Sequence, residues 1–171
     1  MKTFLLFIFI FVFFFFFGQN VDQLIIKKVN EYRKENLLPP LCYSEKAKIS
    51  NKQMLNYMVE TSTIPLDHSQ KIQTSNPKTF DNFIDRINYV YNFDYICVGE
   101  NLCTFIKPST DEECAIMVLN VWKNSPPHNK LLLSSQYDGI CVGSKTSNKI
   151  TQGGITYING EIFYCVLTMF K

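Results

Sequence analysis

The chain has 171 residues, of which 46% are hydrophobic and 19% charged, and its formal net charge is +2. That length suits one domain with a single core. The arginines are Arg33 and Arg86, and the lysines are scattered along the sequence. Nucleic-acid binding leaves a footprint of clustered basic residues, so we expect no nucleic-acid partner.

The amino-terminal segment predicts where the protein is located relative to the cell. The sequence is unbroken apolar from Phe4 to Phe17, and it becomes polar at Gln19. This stretch is shorter than the roughly 20 residues that span a bilayer, and it is typical of a signal peptide. We expect residues 1–18 to be a cleaved signal peptide, with an uncleaved signal anchor as the alternative. Residues 19–171 would then form one secreted, extracellular domain without a transmembrane segment.

All six cysteines lie beyond the predicted signal peptide. An even number of cysteines in a secreted chain favours disulfides, here three, although the sequence leaves their connectivity open. Cys141 with Cys165 is the pairing we favour, because both fall on predicted strands of the last part of the chain. No pair of cysteines has the close spacing of a zinc ribbon.

Helical patterns fill the first part of the chain. Asn20 begins a predicted helix that runs to about Leu37, and Ser44 begins a second helix. Thr79 is predicted to cap a third, short helix. The sequence from Thr110 to Glu113 is a capping box for a fourth helix.

After Pro126-Pro127 the spacing of the apolar residues changes from the period of a helix to that of a strand. Strands are predicted over 137–144, 155–158 and 162–170, with Asn159-Gly160 as the turn of a hairpin between the last two. Aromatic residues also alternate at the strand period from Tyr89 to Tyr95 and predict one buried face, or an apolar strip beside a ligand site. Helices followed by antiparallel strands indicate an α+β fold with helices packed on a sheet.

Several short motifs, in their order and spacing, resemble the CAP superfamily, which groups cysteine-rich secretory proteins, antigen 5 and pathogenesis-related proteins. The resemblance covers about Val21 to Phe170 and is nearest to the compact bacterial and protist form of this SCP domain. It implies a three-layer α/β/α sandwich with a central antiparallel sheet. The motifs are Leu66-Asp67-His68-Ser69, Val98-Gly99-Glu100-Asn101-Leu102, Trp122 to Asn129, and Gly139-Ile140-Cys141-Val142-Gly143.

The resemblance implies a central cleft that gathers two histidines and one or two acids. His68, His128 and Glu100 occupy those positions, whereas Ser125 stands where many members have a second glutamate. Two imidazoles can hold a divalent metal, and zinc is the most plausible, but only weakly and exchangeably. We therefore predict a metal at His68 and His128 and no catalytic residue beyond these cleft candidates.

Each candidate also has a structural interpretation. Glu100 can orient an imidazole or act as a general base, and Asn101 is typical of a turn or cap. Ser125 fits a Ser-Pro turn better than a nucleophile. Trp122 fits the core of the fourth helix, and Arg86 fits a pair with a buried carboxylate.

Three functions remain open from the sequence. The first is an extracellular binding module that captures a lipid or sterol-like molecule, or a partner protein, in the cleft. The second is a metal-dependent secreted hydrolase that uses the same cleft, with Glu100 as base. The third is an effector that acts through protein contacts alone. We expect a monomer that binds an apolar small molecule or an extracellular protein.

Overall fold

The computed structural model describes residues 20–62, 66–71, 79–91, 97–148, 150–152, 155–157 and 160–171. In chain order the elements are α1 (Val21–Glu35), β1 (Cys42–Tyr43), a 3-10 turn (Glu45–Ala47), α2 (Lys48–Thr61), α3 (Phe83–Tyr91), β2 (Val98–Ile106), α4 (Asp111–Lys123), α5 (Pro126–Leu132), β3 (Gly139–Ser147), β4 (Ile150–Gln152), β5 (Ile155–Tyr157) and β6 (Ile162–Phe170).

The main sheet has four strands in the order β1-β3-β6-β2. β6 is antiparallel to both of its neighbours, and the short β1 adds to β3 in parallel. Every residue of β6 is buried. A strand that is buried on both faces needs a covering layer on each side, so β6 marks the middle of the domain.

Helices cover both faces of this sheet. Alternate side chains of β6, such as Phe163 and Leu167, join the core that contains α1 and α4. The intervening side chains, such as Tyr164 and Val166, join a second core under α2. Because successive strand residues point to opposite faces, one strand contributes to both cores. The predicted three-layer α/β/α sandwich with a mainly antiparallel central sheet is confirmed.

Side-chain caps explain where the helices begin. The Asn20 side chain accepts a hydrogen bond from the Gln23 N–H (3.0 Å), and Thr110 forms the predicted capping box at α4. Ser44 caps the 3-10 turn ahead of α2 rather than the helix itself. Asn82, not Thr79, caps α3, because its side chain accepts from the Asp85 N–H (2.9 Å).

Several predicted elements differ from the structure. α5 and β2 were not expected, and Tyr89, predicted on a buried aromatic face, is exposed on α3. The predicted hairpin between 155–158 and 162–170 is wrong, because β5 pairs with β4 and β6 pairs with β3 and β2. Residues 92–96 of the aromatic segment and 158–159 of the predicted turn lie outside the described residues.

The six cysteines form no disulfide in the structure, which differs from the three that we predicted. The favoured Cys141–Cys165 pair is wrong. Cys141 lies opposite Thr168, and Cys165 lies opposite Ser144, so the two are three positions apart and face opposite sides of the sheet. Cys103, by contrast, lies directly opposite Cys165 on the neighbouring strand.

The predicted signal peptide, residues 1–18, lies outside the described residues. Within the part of the chain that the structure describes, no helix is both long and apolar enough to cross a membrane.

Candidate functional site

A buried ion pair forms the centre of the site. Glu100, on β2, and Arg86, on α3, are joined through Oε2 and Nη2, and neither side chain is exposed to solvent. The other carboxylate oxygen of Glu100 lies 3.0 Å from His68 Nδ1. Both oxygens of Glu100 therefore have a partner, one a permanent cation and the other an imidazole.

Arg86 is held by more than its carboxylate. Its Nε donates to Ser50 Oγ (3.1 Å), and its Nη1 lies 3.4 Å from the His68 carbonyl oxygen and 3.2 Å from Met54 Sδ. A guanidinium is always charged and presents several donors in a fixed plane, which suits this buried position. The sequence-based prediction that Arg86 pairs with a buried carboxylate is confirmed.

His68 lies in the short stretch 66–71, which local contacts hold in place. The Ser69 N–H and hydroxyl donate to the Asp67 carboxylate (3.0 and 2.7 Å), a turn that the sequence Asp-His-Ser favours. The His68 ring lies 5.9 Å from the Phe83 ring, centroid to centroid. The side chain is 40% exposed, so it meets solvent at one end and Glu100 at the other. When Nδ1 is the donor to Glu100, Nε2 is left as the acceptor.

β2 connects the two helical layers at this edge of the sheet. Glu100 is opposite Thr168 and Asn101 is opposite Leu167, so the two side chains project from opposite faces. Glu100 binds residues of the α2–α3 layer, whereas the Asn101 amide donates to the His128 carbonyl (3.2 Å) in α5. Asn101 is buried within β2, so our prediction of a turn or cap was wrong.

Gly99 gives α5 its close approach to β2. A side-chain carbon at this position would collide with Leu131 of α5 and would lie 2.9 Å from the Tyr137 hydroxyl. A residue with a Cβ would fit here only if the Leu131 and Tyr137 side chains moved. The successive residues Gly99, Glu100 and Asn101 thus each contact a different neighbour: Leu131 of α5, the Arg86–His68 pair, and the His128 carbonyl.

His128 is half-buried on α5. Burial lowers the pKa of His128, and the nearby charge of His68 lowers it further. Its Nδ1 is buried and has no hydrogen-bond partner among the residues that the structure describes. The neutral imidazole is therefore favoured, and a neutral imidazole is the form that binds a metal.

The remaining predicted residues have structural positions. Ser125 is the residue before α5 and makes no side-chain cap, with Pro126 and Pro127 opening the helix. Trp122 is fully buried and its indole N–H donates to the Leu102 carbonyl (3.1 Å), so its predicted core position is confirmed. The roles of Phe83 and Asn101 were not anticipated. The alternation of strand faces would have revealed Asn101 had β2 been predicted.

The donor set limits what metal could bind. Among the described residues, no group of three or more histidine, cysteine, aspartate or glutamate side chains is arranged to hold a metal ion. His68 Nε2 and the unpartnered His128 Nδ1 are two donors, which is too few for a closed structural site. These residues fit at most an exchangeable ion whose other ligands are water or a bound molecule.

The fold and the site define a class: a small three-layer domain with a buried Arg–Glu pair that holds a histidine at the edge of a mainly antiparallel sheet. The model of the CAP, or cysteine-rich secretory protein, family matches residues 26–167. The chain belongs to this family. Comparison with curated proteins gave no significant match.

Solved structures share the fold. An outer surface protein of Borrelia burgdorferi is 22% identical, with a TM-score of 0.60 over 88% of this chain and 92% of that one. An extracellular protein of Bacillus anthracis that contains an SCP domain is 20% identical, with a TM-score of 0.59 over 88% of this chain and 40% of that one. A cysteine-rich secretory protein of Staphylococcus aureus is 18% identical, with a TM-score of 0.54 over 91% and 40%. This chain spans about two fifths of the last two proteins.

Proposed function

We propose that this protein is an extracellular binding module that captures an apolar small molecule or a partner protein in a cleft at His68 and His128, with Glu100 buried behind His68. The observation that carries the proposal is the engagement of both Glu100 oxygens, by Arg86 and His68. A general base needs a free carboxylate oxygen within reach of a water or substrate. Glu100 is instead arranged to orient His68.

The second candidate, a metal-dependent hydrolase, has weaker support. Such enzymes use a metal with an open position and a separate acid or base. Here Ser125 occupies the place of the second acid, and a hydroxyl cannot supply a carboxylate's charge. His68 and His128 could hold a metal, but both oxygens of Glu100 are engaged, which leaves no free carboxylate to take the proton from a metal-bound water.

The surface near the cleft supports an apolar ligand. α3 carries Phe83 against the His68 ring, and the same helix exposes Ile84 and Tyr89. Tyr89 packs against Phe80 with ring centroids 5.6 Å apart. Apolar side chains beside a few fixed polar groups are the usual composition of a small-molecule site.

Turnover assays distinguish binding from hydrolysis. Purified protein is incubated with peptide, ester and phospholipid substrates, with and without zinc, alongside the Glu100→Gln variant. We expect no turnover above background in any sample. Zinc-dependent turnover that disappears in Glu100→Gln would establish the hydrolase instead.

We also propose that zinc binds weakly and reversibly at His68 and His128. Histidine must be neutral to bind a metal, so the affinity should fall at low pH; because burial lowers the pKa of His128, protonation of this ligand should set in below the usual value of about 6.5. Calorimetry should show zinc binding to the wild type and little to His128→Ala. Equal affinity in both proteins would show that zinc binds elsewhere.

The proposed location is extracellular, as for the similar structures, after removal of residues 1–18, and we expect a monomer. Cysteine pairs oxidise in that environment. Cys103 and Cys165 are the pair we propose to oxidise, because they lie directly opposite each other on the neighbouring strands β2 and β6.

A further inference from the structure

A second groove lies on the opposite edge of the sheet from β2. There, β1 covers only Gly139 and Ile140 of β3, so among the described residues no strand pairs with the rest of that edge. A cavity of about 260 Å³ follows the open edge. We call it the β3 groove; its floor is Val142 to Ser144, and its walls include Asp22 of α1 and Lys48 and Lys52 of α2.

The direction of the backbone groups on this edge follows from β1. The Cys42 and Ser44 N–H groups donate to the Asp138 and Ile140 carbonyls (2.7 and 3.0 Å). Alternate residues of a strand present their N–H and C=O to the same edge. The backbone of Val142 and of Ser144 therefore faces the β3 groove, two residues and about 7 Å apart, which is the repeat of an extended chain.

The walls of the β3 groove favour one extended chain over a second sheet. α1 and α2 cover opposite faces of β3 and both reach the groove, so a partner sheet with its own covering helices would meet these walls first. This geometry disfavours edge-to-edge pairing of two copies, and it favours a single peptide strand that continues the line of β1.

The charges of the β3 groove favour an acidic peptide. Lys48 and Lys52 project from the α2 wall, and the amino-terminal end of α1 at Asn20 contributes the positive end of the helix dipole. The acid within the groove, Asp22, accepts a short hydrogen bond from the Ser144 hydroxyl (2.5 Å). Lys48 is held by Glu45 (2.8 Å), so Lys52 is the cation to test.

We propose that the β3 groove binds an extended peptide segment that carries an acidic side chain, by adding it as a strand to β3 beside Lys52. The peptide backbone pairs with the outward N–H and C=O groups of Val142 and Ser144. Its acidic side chain lies along the α2 wall. This site is separate from the His68–Glu100–His128 cleft, which is built at the other edge of the sheet.

The test selects random linear peptides displayed on phage against the secreted protein, and measures binding of the fluorescein-labelled winners by anisotropy. We expect enrichment in aspartate and glutamate. Ser144→Pro removes the outward N–H, and Lys52→Glu reverses the charge; each should weaken binding about tenfold or more, since about 1.4 kcal/mol is a factor of ten. Lys34→Glu and Lys46→Glu reverse the charge of exposed lysines outside the groove; they are the controls and should bind within about twofold of the wild type.

Hydrogen exchange keeps the proposal testable if Ser144→Pro fails to fold. In the wild type, the peptide should slow exchange of the Val142 and Ser144 amides, and it should not do so in Lys52→Glu. Three results would overturn the proposal: no peptide is enriched, the two groove variants bind like their controls, or protection maps to another part of the chain.

Discussion

Removing Arg86 is the sharpest test of how the cleft is built. Arg86→Met replaces a fully buried cation by an apolar side chain and leaves the Glu100 carboxylate buried without its main partner. Breaking a buried ion pair in this way costs about 3–5 kcal/mol. For a domain of this size, about 2–4 °C of melting temperature is lost per kcal/mol, so we expect a decrease of roughly 6–20 °C.

The double variant Arg86→Met/Glu100→Met separates the charge from the packing. It removes both members of the pair, and buried pairs replaced by apolar residues are often as stable as the original. We therefore expect the double variant to melt well above Arg86→Met alone. It should recover at least about half of the decrease in melting temperature that Arg86→Met causes. Thermal unfolding followed by circular dichroism measures all three proteins. A double variant that is less stable than the single one would refute the reasoning.

Three further predictions concern separate parts of the structure. Because the pKa of His128 in the folded protein lies below its usual 6.5, the unfolded chain binds more protons as the pH falls below that value, and the stability of the fold should decrease. His128→Gln should therefore reduce the dependence of the melting temperature on pH between pH 7 and pH 5. An unchanged pH dependence would contradict the explanation that burial lowers this pKa. Gly99→Ala should lower the free energy of unfolding by about 1–3 kcal/mol, because the new carbon meets Leu131. Gly143→Ala should cost less, because its new carbon would lie 3.1 Å from Leu55 Cδ1. Chemical denaturation of both variants measures the difference. Non-reducing peptide mapping of the secreted protein should detect a peptide in which Cys103 is joined to Cys165, and the exposed Cys42 should react with an alkylating reagent. A peptide that joins Cys141 to Cys165 would show a sheet register different from the one described.

The sequence predicts the layers of the fold better than their connections. The caps at Asn20 and Thr110 and the long apolar strand β6 depend on local patterns, and these expectations agree with the structure. The pairing of β5 with β4 does not depend on local pattern. A turn sequence such as Asn159-Gly160 favours a hairpin, but the partner of each strand is set by tertiary packing.

In the site, too, local sequence patterns predict some features, whereas others depend on tertiary packing. His68, Glu100 and His128 come from distant parts of the sequence, and only the family resemblance gathered them. The role of Asn101 required knowledge that β2 is a strand, because only then do adjacent residues serve opposite faces. β2 escaped prediction because its buried polar residues, Glu100 and Asn101, interrupt the apolar pattern that a strand buried on both faces usually has.

Native mass spectrometry of the protein purified from its own secretion tests most directly whether the cleft is a binding site. The wild type and the His68→Ala/His128→Ala variant are compared under conditions that preserve noncovalent complexes, and the bound species is identified after release. We expect the wild type to carry an apolar small molecule or a partner protein that the folded double variant has lost. The same species at the same occupancy on both proteins would contradict it, because the ligand would then be held away from the two histidines.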